Sequence, residues 1–324
     1  MTGASAGVGR AIVRRFAQDG ANIGLLARDR GRLQATEREV RQAGSRALIQ
    51  VCDVGGAEQV EAATEAVEAE FGPIDIWINN AMVTVFSPVA EMEAADYHRV
   101  TEVTYLGVVH GTLSALKRMR PRDHGVIVQI GSALAYRGIP LQSAHCAAKH
   151  AIQGFQDSLS AELLHEQSRV HTTMVQLPAM NTPQFDWLKT RLRYRAQPVP
   201  PIHQPEVAAE AVHQAVYGKR KREHFVSPTA AATIVGNKIF PQLGDRYLAE
   251  HGFDSQQTDE LEDPTRPNNL YETVPGDWAA HGRFDAEAEQ AKQQQRQRKD
   301  LMLAGIGSAA VALGAGLAKR MRRR

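Results

Sequence analysis

Short apolar runs alternate with longer segments of helical period along most of the chain. The apolar runs are rich in β-branched residues, as buried strands are, and they fall at 22–27, 47–52, 74–79, 126–130 and 172–177, with Phe225-Val226 at the start of a further one. Between them apolar residues recur every three or four positions, which predicts helices at 10–19, 30–43, 57–71, 95–119, 144–166 and 205–217. Strict alternation predicts an α/β fold, a doubly wound parallel sheet with helices on both faces.

The pattern weakens after about residue 227. Residues 263–284 are predicted to be a loop, because a polar stretch is interrupted by Pro264, Pro267, Pro275 and Gly276. Residues 286–299 are rich in Gln, Arg and Lys, which is typical of an exposed helix or a linker. We therefore predict a compact domain over residues 1–250 and an irregular or linker extension over residues 251–300.

The last residues divide into an uncharged segment, 301–318, and a basic tail, 319–324. At about 1.5 Å per residue, a helix over the uncharged segment is just long enough to span a thin hydrocarbon core. Its alanines and glycines lower the drive to insert but allow helices to pack closely. Two interpretations stay open: a membrane helix at the C-terminus, or a flexible and weakly helical tail.

Composition narrows the class of protein. The chain has 324 residues, of which 43% are hydrophobic and 23% charged, and this is typical of a soluble globular protein. A net charge of +2 gives no general reason to expect nucleic acid as a partner. The basic run 219–222 stands between a helix and a strand, where a solvated turn is usual. If residues 301–318 were inserted in a membrane, this run could hold the domain near anionic lipid.

The two cysteines indicate the cellular compartment of the protein. Cys52 and Cys146 predict reduced thiols and no disulfide framework. No signal peptide is visible, because the chain begins directly with a glycine-rich turn. We therefore expect a cytoplasmic protein, membrane-associated only if its C-terminus inserts.

The glycine-rich turn covers residues 2–9. The spacing of Gly3, Gly7 and Gly9 suits a loop that leaves a strand, crosses a pyrophosphate and enters a helix. Glycines let the backbone approach the phosphates, and the helix N-terminus supplies N–H groups and a positive dipole. Only Met1 precedes the turn, so the strand that normally supports it is missing. We expect the reading frame to begin upstream and to add an apolar strand of about six residues.

Five motifs follow one another in an order that resembles the short-chain dehydrogenase/reductase family. They are Thr2-Gly3-xxx-Gly7-x-Gly9, Asp53-Val54, Asn79-Asn80-Ala81, Ser132 and Lys149. The resemblance covers residues 2 to about 227, and residues 134–140 and 275–284 resemble an uncharacterised bacterial branch with a C-terminal extension. It implies a Rossmann-like fold, a nicotinamide cofactor and an alcohol or carbonyl substrate. It also implies that a homo-oligomer can form through the long helix that carries residues 145 and 149.

The resemblance assigns the cofactor to the glycine-rich turn and to the ends of the later strands. The residues that it marks are Gly3, Ser5, Gly7, Val8, Gly9, Arg28, Asp53, Val54, Asn80, Ala81, Lys149, Pro178 and Thr182. Asp53 stands where the family holds the adenine amino group, although it equally suits a helix cap. Asn79 steadies the sheet in the family, yet two consecutive asparagines are also ordinary turn formers. Met82 replaces the glycine that usually follows them.

Arg28 directly follows the strand predicted at 22–27, where the adenosine ribose of a dinucleotide would lie. An acidic residue there would bind the ribose 2′-hydroxyl, whereas an arginine suits a 2′-phosphate. NADP(H) is therefore favoured over NAD(H), and the neighbouring Asp29 tempers that preference. The alternative is an ordinary surface arginine.

The catalytic set of the family is a serine, a tyrosine and a lysine four residues after the tyrosine. The phenol passes a proton to or from the substrate oxygen, the lysine lowers the pKa of the phenol, and the serine hydrogen-bonds the reacting oxygen. Ser132 and Lys149 match two of these positions, but residue 145 is histidine. The i, i+4 spacing places His145 on the helix face of Lys149, so we predict that His145 takes the role of the tyrosine.

A histidine changes what this position can do. Its ordinary pKa of about 6.5 makes it an acid and a base near neutral pH. Its ring nitrogen, however, reaches about 2 Å less far than a phenol oxygen, a shortfall that can lower a rate by orders of magnitude. The Lys149 cation also lowers the pKa of His145, which disfavours the protonated acid that carbonyl reduction needs. We expect a weak base for alcohol oxidation rather than an efficient acid for reduction.

Further positions complete the predicted site, which contains no metal ligand. Thr104 stands where the family has an asparagine that helps to hold a water for proton transfer, and a threonine hydroxyl can also bind water. Tyr136 is expected at the substrate mouth, and Thr182 at the nicotinamide amide. An apolar stretch follows Thr182 and reads either as a lid over an apolar alcohol or ketone, or as core; it contains Phe185, Trp187 and Leu188.

Two functions of different classes follow from these residues. The first is an NADP(H)-binding oxidoreductase that acts on an alcohol or carbonyl compound through Ser132, His145 and Lys149. The second is a nucleotide-binding pseudoenzyme, either a cofactor sensor or a membrane-tethered interaction domain, with little or no turnover. The identity of residue 145 separates them, because it decides whether a proton can be delivered.

Overall fold

Parallel strands form the centre of the molecule, which a computed structural model describes at residues 1–227 and 241–293. The strands are β1 (Ile23–Ala27), β2 (Ala47–Val51), β3 (Ile76–Asn79), β4 (Val85–Phe86), β5 (Val126–Ser132), β6 (His171–Leu177), β7 (Lys189–Thr190), β8 (Tyr194–Ala196), β9 (Glu223–Phe225) and β10 (Gln257–Leu261). Each apolar run that predicts a strand coincides with one of them. The strands that sequence reasoning missed, β4, β7, β8 and β10, are short or polar and carry no such run.

The helices lie between these strands. They are α1 (Gly7–Ala17), α2 (Arg30–Gln42), α3 (Ala57–Phe71), α4 (Ala94–Val100), α5 (Gly107–Met119), α6 (Ser143–His165), α7 (Gln184–Trp187), α8 (Pro205–Tyr217) and α9 (Pro241–His251). The backbone is helical throughout the segment predicted at 95–119, but its hydrogen-bond pattern changes in the middle. A π-helical turn, Thr101–Leu106, separates α4 from α5, and such turns often accompany functional sites.

Residues 1–4 join two groups of parallel strands into one doubly wound sheet, which confirms the predicted fold class. β1 pairs with β2, and β3, β5, β6 and β9 are neighbours in that order. Thr2 forms a parallel bridge with Leu26, and its N–H donates to the oxygen of Ile78 at 3.0 Å. The Met1 amine donates to the oxygen of Gly24 at 2.9 Å. A single bridge therefore stands where the family has its first strand.

Apolar side chains pack on both faces of this sheet. On one face α1 and α8 cover the strands, and the buried cluster there includes Ile12, Phe16, Leu25, Val128, Val175 and Val212. On the other face α3, α5 and α6 do so, and the cluster includes Val60, Trp77, Ala115, Ile127 and Ala148. Because β1 is buried at all of its residues, its sequence reads as a continuous apolar run rather than an alternating one.

The part of the chain after α9 returns to the domain. β10 pairs antiparallel with β8, and residues 263–284 follow without helix or strand, with Leu270 and Ala280 fully buried. Among the helices of the described ranges, none has the length and apolar character needed to cross a bilayer. The predicted apolar segment 301–318 and the basic tail 319–324 lie outside the described residues.

Candidate active site

The carboxyl ends of the parallel strands border a cleft of about 640 Å³, the position at which doubly wound sheets bind ligands. Its wall brings together most of the predicted site residues, namely Gly3, Ser5, Gly7, Val8, Gly9, Arg28, Asp53, Val54, Asn80, Ala81, Ser132, His145, Lys149, Pro178 and Thr182. Thr104 belongs to the predicted set but not to this wall. One cleft thus joins the glycine-rich turn to the catalytic set.

The glycine-rich turn can be built only from glycine at three positions. Gly3 and Gly7 have φ angles of +63° and +56°, in the left-handed region that other residues avoid. A Cβ on Gly3 would lie 2.7 Å from Nδ2 of Asn80, and a Cβ on Gly9 would overlap the carbonyl oxygen of Gly3. The turn leads into the first turn of α1, whose N–H groups have no acceptor within the helix. This backbone is shaped for an anion.

Two asparagines hold the turn and the sheet in place. Nδ2 of Asn80 donates to the oxygen of Gly3 at 3.0 Å, and its backbone N–H donates to Oγ1 of Thr2 at 3.0 Å. Asn79 is buried, accepts a hydrogen bond from Nε1 of Trp77 at 2.7 Å and donates to Oε1 of Gln129 at 2.9 Å. Asn79 therefore ties β3 to β5, while Asn80 fixes the turn next to the cleft.

A cluster of charged side chains occupies the end of the cleft beyond β1 and β2. Asp53 forms an ion pair with Arg99 and accepts a hydrogen bond from the N–H of Gly55 at 3.0 Å. Asp53 lines the cleft and orders the turn before α3, but it does not cap that helix, whose N-cap is Gly56 and has no side-chain cap. Arg28 donates from Nη1 to the oxygen of Tyr271 at 2.8 Å and from Nη2 to the oxygen of Asn269 at 2.5 Å. Burial lowers the pKa of the Arg28 guanidinium.

A C-terminal strap, defined as residues 269–285, contacts three separate parts of the cleft. At one end its carbonyl groups accept from Arg28. In the middle, the oxygen of Ala279 accepts from the N–H of Gly7 at 3.0 Å. At the other end, the N–H of Phe284 donates to Oδ1 of Asn181 at 3.0 Å. The predicted loop over 263–284 is therefore not a free linker, because its backbone is bonded along the length of the cleft.

The three predicted catalytic residues come from two neighbouring elements. Ser132 ends β5, and its Oγ accepts a hydrogen bond from the N–H of Leu134 at 3.1 Å. His145 and Lys149 stand one turn apart on α6, and both are buried. Nζ of Lys149 donates to the oxygen of Ile130 at 2.6 Å, whereas Nδ1 of His145 has no partner among the described residues.

Burial sets the charge of the two α6 side chains. It lowers the pKa of His145 to about 3, and the nearby Lys149 cation contributes in the same direction. Burial also lowers the pKa of Lys149 to about 8. The imidazole is therefore neutral at pH 7, and the lysine is the group of this pair that titrates close to neutral pH.

Two other predicted residues have different surroundings from those expected. The hydroxyl of Thr104 is buried, accepts from the N–H of Val83 at 3.1 Å and donates to the oxygen of Val83 at 2.9 Å. The wall of the cleft does not include Tyr136, which was expected at the substrate mouth. Its hydroxyl donates to Oε2 of Glu223 at 2.5 Å, and burial together with this carboxylate raises the pKa of Tyr136.

The end of the cleft beyond the catalytic set is apolar. Its wall includes Leu134, Ile139, Phe185, Leu188, Pro198, Val199 and Tyr247, whereas Trp187 lies against Arg32 at the other end. Phe185 packs edge-on against Phe86 and against Phe284 of the strap, with ring centroids 6.0 and 5.7 Å apart. The predicted lid residues Phe185 and Leu188 thus serve both readings, since they line the cleft and also belong to a buried cluster.

The polar residues of the cleft wall that sequence reasoning missed include Arg32 and His203. Nη2 of Arg32 and Nε2 of His203 are buried and have no hydrogen-bond partner among the described residues. Arg32 lies in the first turn of α2, four positions after Arg28, where its charge could have drawn attention. His203 stands in an irregular stretch before α8 and carries no such signal.

Comparisons with known proteins agree with this geometry. The model of the family described as short chain dehydrogenase matches residues 1–191. The uncharacterised oxidoreductase YxnA of Bacillus subtilis is 30% identical over 278 residues, which cover 84% of this chain and 77% of the relative. A fatty acyl-CoA reductase of Acinetobacter baylyi is 30% identical over 224 residues, covering 68% of this chain and 73% of that protein.

A solved structure shares the architecture. The alcohol dehydrogenase of the archaeon Thermococcus sibiricus, complexed with 5-hydroxy-NADP, is 26% identical and superposes with a TM-score of 0.61. The match covers 69% of this chain and 93% of the archaeal one.

Proposed function

Because the chain belongs to the short-chain dehydrogenase family, we propose that it is an NADP(H)-dependent oxidoreductase that interconverts an alcohol and a carbonyl compound. The observation that carries this proposal is the convergence of Ser132, His145 and Lys149 on the cleft that also contains the glycine-rich turn. The similar archaeal structure is complexed with an NADP derivative, which supports the choice of cofactor.

The residues of the cleft fit a dinucleotide phosphate. The backbone at Gly3 and Gly9 leaves no room for side chains, and the N-terminus of α1 faces the same space. Arg28 and Arg32 line the end where an adenosine would lie. Nη2 of Arg32 is buried there and has no hydrogen-bond partner among the described residues. A buried cation of this kind is stabilised by an anionic ligand.

The chain supplies the oxygen contacts and the proton. When bound, the nicotinamide ring supplies the hydride for reduction or accepts it in oxidation. In reduction the carbonyl carbon gains that hydride, and the carbonyl oxygen gains one proton. The Ser132 hydroxyl and an N–H group of neutral His145 donate hydrogen bonds to this oxygen and stabilise its developing negative charge.

Lys149 is the source of the proton in this scheme. Its pKa of about 8 suits proton release near neutral pH, whereas a His145 pKa of about 3 means that the imidazole carries no surplus proton. One ring nitrogen of His145 gives its hydrogen to the alkoxide while the other takes a proton from Lys149, a transfer for which Nζ of Lys149 must exchange its hydrogen bond to the oxygen of Ile130 for one to the imidazole. The product is the neutral alcohol, and Lys149 stays uncharged until solvent protonates it again. Oxidation reverses these transfers.

The substrate is expected to be apolar. The wall beyond the catalytic set carries aromatic and aliphatic side chains, including Phe185 and Leu188, and such a wall favours a hydrocarbon group by the burial of apolar surface. The Acinetobacter relative is named as a reductase of fatty acyl groups. Aliphatic aldehydes, ketones and their alcohols are therefore the class to test first.

A fluorescence titration with NADPH and NADH tests the cofactor assignment. Saturable binding of NADPH, tighter than that of NADH, is expected, and the same protein should oxidise NADPH when medium-chain aldehydes or ketones are added. Failure to bind either dinucleotide would contradict the proposal as a whole. Binding without substrate-dependent oxidation of NADPH would support the cofactor assignment and contradict the assignment of catalytic activity.

The second candidate is a nucleotide-binding protein without turnover. The observation that favours it is the burial of His145, whose pKa of about 3 makes a poor acid and a poor base. The His145→Phe variant separates the two functions. If the wild-type protein turns over and this variant does not, while both bind NADPH equally, the second candidate is wrong.

A further inference from the structure

Arg28 is the residue that the sequence marks for the 2′-phosphate of NADP(H), but its guanidinium is already engaged. Nη1 donates to the oxygens of Tyr271 and Leu270 at 2.8 and 3.4 Å, and Nη2 donates to the oxygen of Asn269 at 2.5 Å. These acceptors are backbone carbonyl groups of the strap. A phosphate could use the terminal nitrogens of Arg28 only by displacing the strap from them.

Arg32 lines the same end of the cleft, and its terminal nitrogen Nη2 is free of the strap's carbonyl groups. Its side chain is 6% exposed, and Nε donates to the oxygen of Gly276 at 2.9 Å. The guanidinium lies over the ring of Trp187, 4.6 Å from the centroid, which fixes its plane. Nη2 is buried and has no partner among the described residues. A buried, charged donor in this state carries a desolvation penalty that an anion would relieve.

The neighbouring charges are unevenly matched. Arg99 pairs with Asp53 and with Glu102, and so has two carboxylates of its own. Arg32 has one carboxylate near it, on Asp29, whose Oδ2 is 3.8 Å from Nε. The other oxygen of that carboxylate accepts a hydrogen bond from the backbone N–H of Arg32 at 2.9 Å and thus caps α2. Arg28 has no carboxylate within ion-pair distance among the described residues, but its terminal nitrogens are occupied by carbonyl groups of the strap, whereas Nη2 of Arg32 has no partner among those residues.

We propose that Arg32, rather than Arg28, receives the 2′-phosphate of NADP(H), and that Arg28 instead fixes the strap. A planar guanidinium presents two parallel donors that match phosphate oxygens. Arg32 also stands in the first turn of α2, where the helix dipole favours an anion. This inference rests on the proposed function, since it assigns one contact of the cofactor.

A purely structural role for Arg32 is the competing explanation. Its bond to Gly276 and its stacking on Trp187 would by themselves keep the strap against α2. A structural residue would affect both dinucleotides alike, because NADPH and NADH differ only in the 2′-phosphate. A phosphate ligand affects NADPH alone, so the ratio of the two affinities distinguishes the roles.

The experiment compares Arg32→Met, Arg32→Lys and Arg28→Met with the wild-type protein by fluorescence titration with NADPH and NADH. Adenosine 2′,5′-bisphosphate and adenosine 5′-monophosphate serve as a second pair of probes in calorimetry. Arg32→Met should lower the affinity for NADPH by about 10- to 100-fold, the range for losing a charged hydrogen bond. The affinity for NADH should stay within about threefold of the wild-type value. Arg32→Lys should retain part of the preference, because it keeps the charge without the fork. Arg28→Met should keep the wild-type ratio.

Each result bears on a separate claim. If Arg28→Met abolishes the preference and Arg32→Met keeps it, the assignment to Arg32 is overturned while the proposed function stands. If Arg32→Met and Arg32→Lys lose both dinucleotides equally, the role of Arg32 is structural and the assignment is again overturned. A wild-type protein that binds neither dinucleotide overturns the proposed function and this inference with it. Circular dichroism of each variant confirms that folded protein is compared.

Discussion

His145 precedes Lys149 by one turn of α6, and the buried Nδ1 of His145 has no hydrogen-bond partner among the described residues. An unpaired ring nitrogen beside an ammonium group disfavours the imidazolium, and burial adds to that effect. The family uses a tyrosine at this position, whose hydroxyl is itself the proton donor. Here the neutral imidazole can only pass on a proton that another group supplies, so the chemistry of the site depends on Lys149.

Restoring the phenol should raise the rate of reduction. We expect His145→Tyr to increase NADPH-dependent reduction of an aliphatic aldehyde by about 100-fold, the lower part of the range for a positioned general acid. His145→Phe is the matched control, because it has a similar ring without a proton to give. The measurement is NADPH consumption at saturating cofactor. No gain in a variant that still binds NADPH would show that residue 145 does not limit the rate.

The proposed proton source predicts the pH dependence of reduction. Because Lys149 has a pKa of about 8 and must be protonated to act, kcat should be constant near pH 6 to 7 and fall as the pH rises above about 8. No change is expected near 6.5, since the pKa of His145 lies far below that value. Lys149→Arg should remove activity at every pH, because a guanidinium keeps its proton. A titration centred near 6.5 would instead assign the proton to His145.

Burial of neutral His145 also predicts how stability depends on pH. The pKa of this side chain is lowered in the folded state to about 3, so between that value and about 6.5 only the unfolded chain binds the proton. Acidification through this range therefore favours unfolding. From pH 7 to pH 5 the free energy of unfolding should fall by about 2 kcal/mol more in the wild-type protein than in His145→Gln. Urea titrations at the two pH values measure the difference, and equal losses would contradict it.

Local patterns determined much of the fold. Buried parallel strands require apolar side chains on both faces, and this requirement is visible in the run Ile23–Ala27. The π-helical turn within the helix predicted at 95–119 is different. It accompanies the two hydrogen bonds between Thr104 and Val83, which are distant in sequence. The spacing of apolar residues within the segment cannot indicate such a contact.

The parts of the candidate site that consist of sequence motifs were predicted. The contacts that the strap makes were not. The resemblance that the motifs carry placed the glycine-rich turn beside Ser132 and Lys149, and strand ends do meet at one edge of a parallel sheet. The engagement of Arg28 depends on carbonyl groups of residues 269–271. Every residue has a backbone carbonyl group, so the identity of the strap residues contains no signal for the contact.

The close approach of Gly9 to the turn makes a sharp test of the cofactor cleft. A Cβ at this position would overlap the carbonyl oxygen of Gly3. Gly9→Ala should therefore distort the turn and lower the affinity for NADPH by at least about tenfold. Gly154→Ala on α6 is the matched control, because no atom lies within 4 Å of the added Cβ. It should leave binding unchanged and stabilise the helix by up to about 1 kcal/mol. Equal NADPH affinities in the two variants would place the cofactor elsewhere.

The strap should limit how fast the cofactor leaves. It is bonded to both ends and the middle of the cleft, and Asp277 within it forms an ion pair with Arg10 of α1. Arg10 also pairs with Glu39, so Asp277→Asn loosens the strap without leaving that arginine unpaired. Because half of Asp277 is exposed, the pair contributes about 1 kcal/mol, and NADPH should dissociate roughly fivefold faster in the variant.

Stopped-flow displacement of NADPH measures this rate, and Glu272→Gln is the control, since it removes an exposed charge from the same strap. Higher salt should accelerate release in the wild-type protein more than in Asp277→Asn, because the variant lacks the pair that salt screens. If both variants release NADPH at the wild-type rate, the strap does not have to open for exchange. The cofactor would then leave through the apolar end of the cleft, past Phe185 and Leu188, and the strap would be a fixed part of the wall.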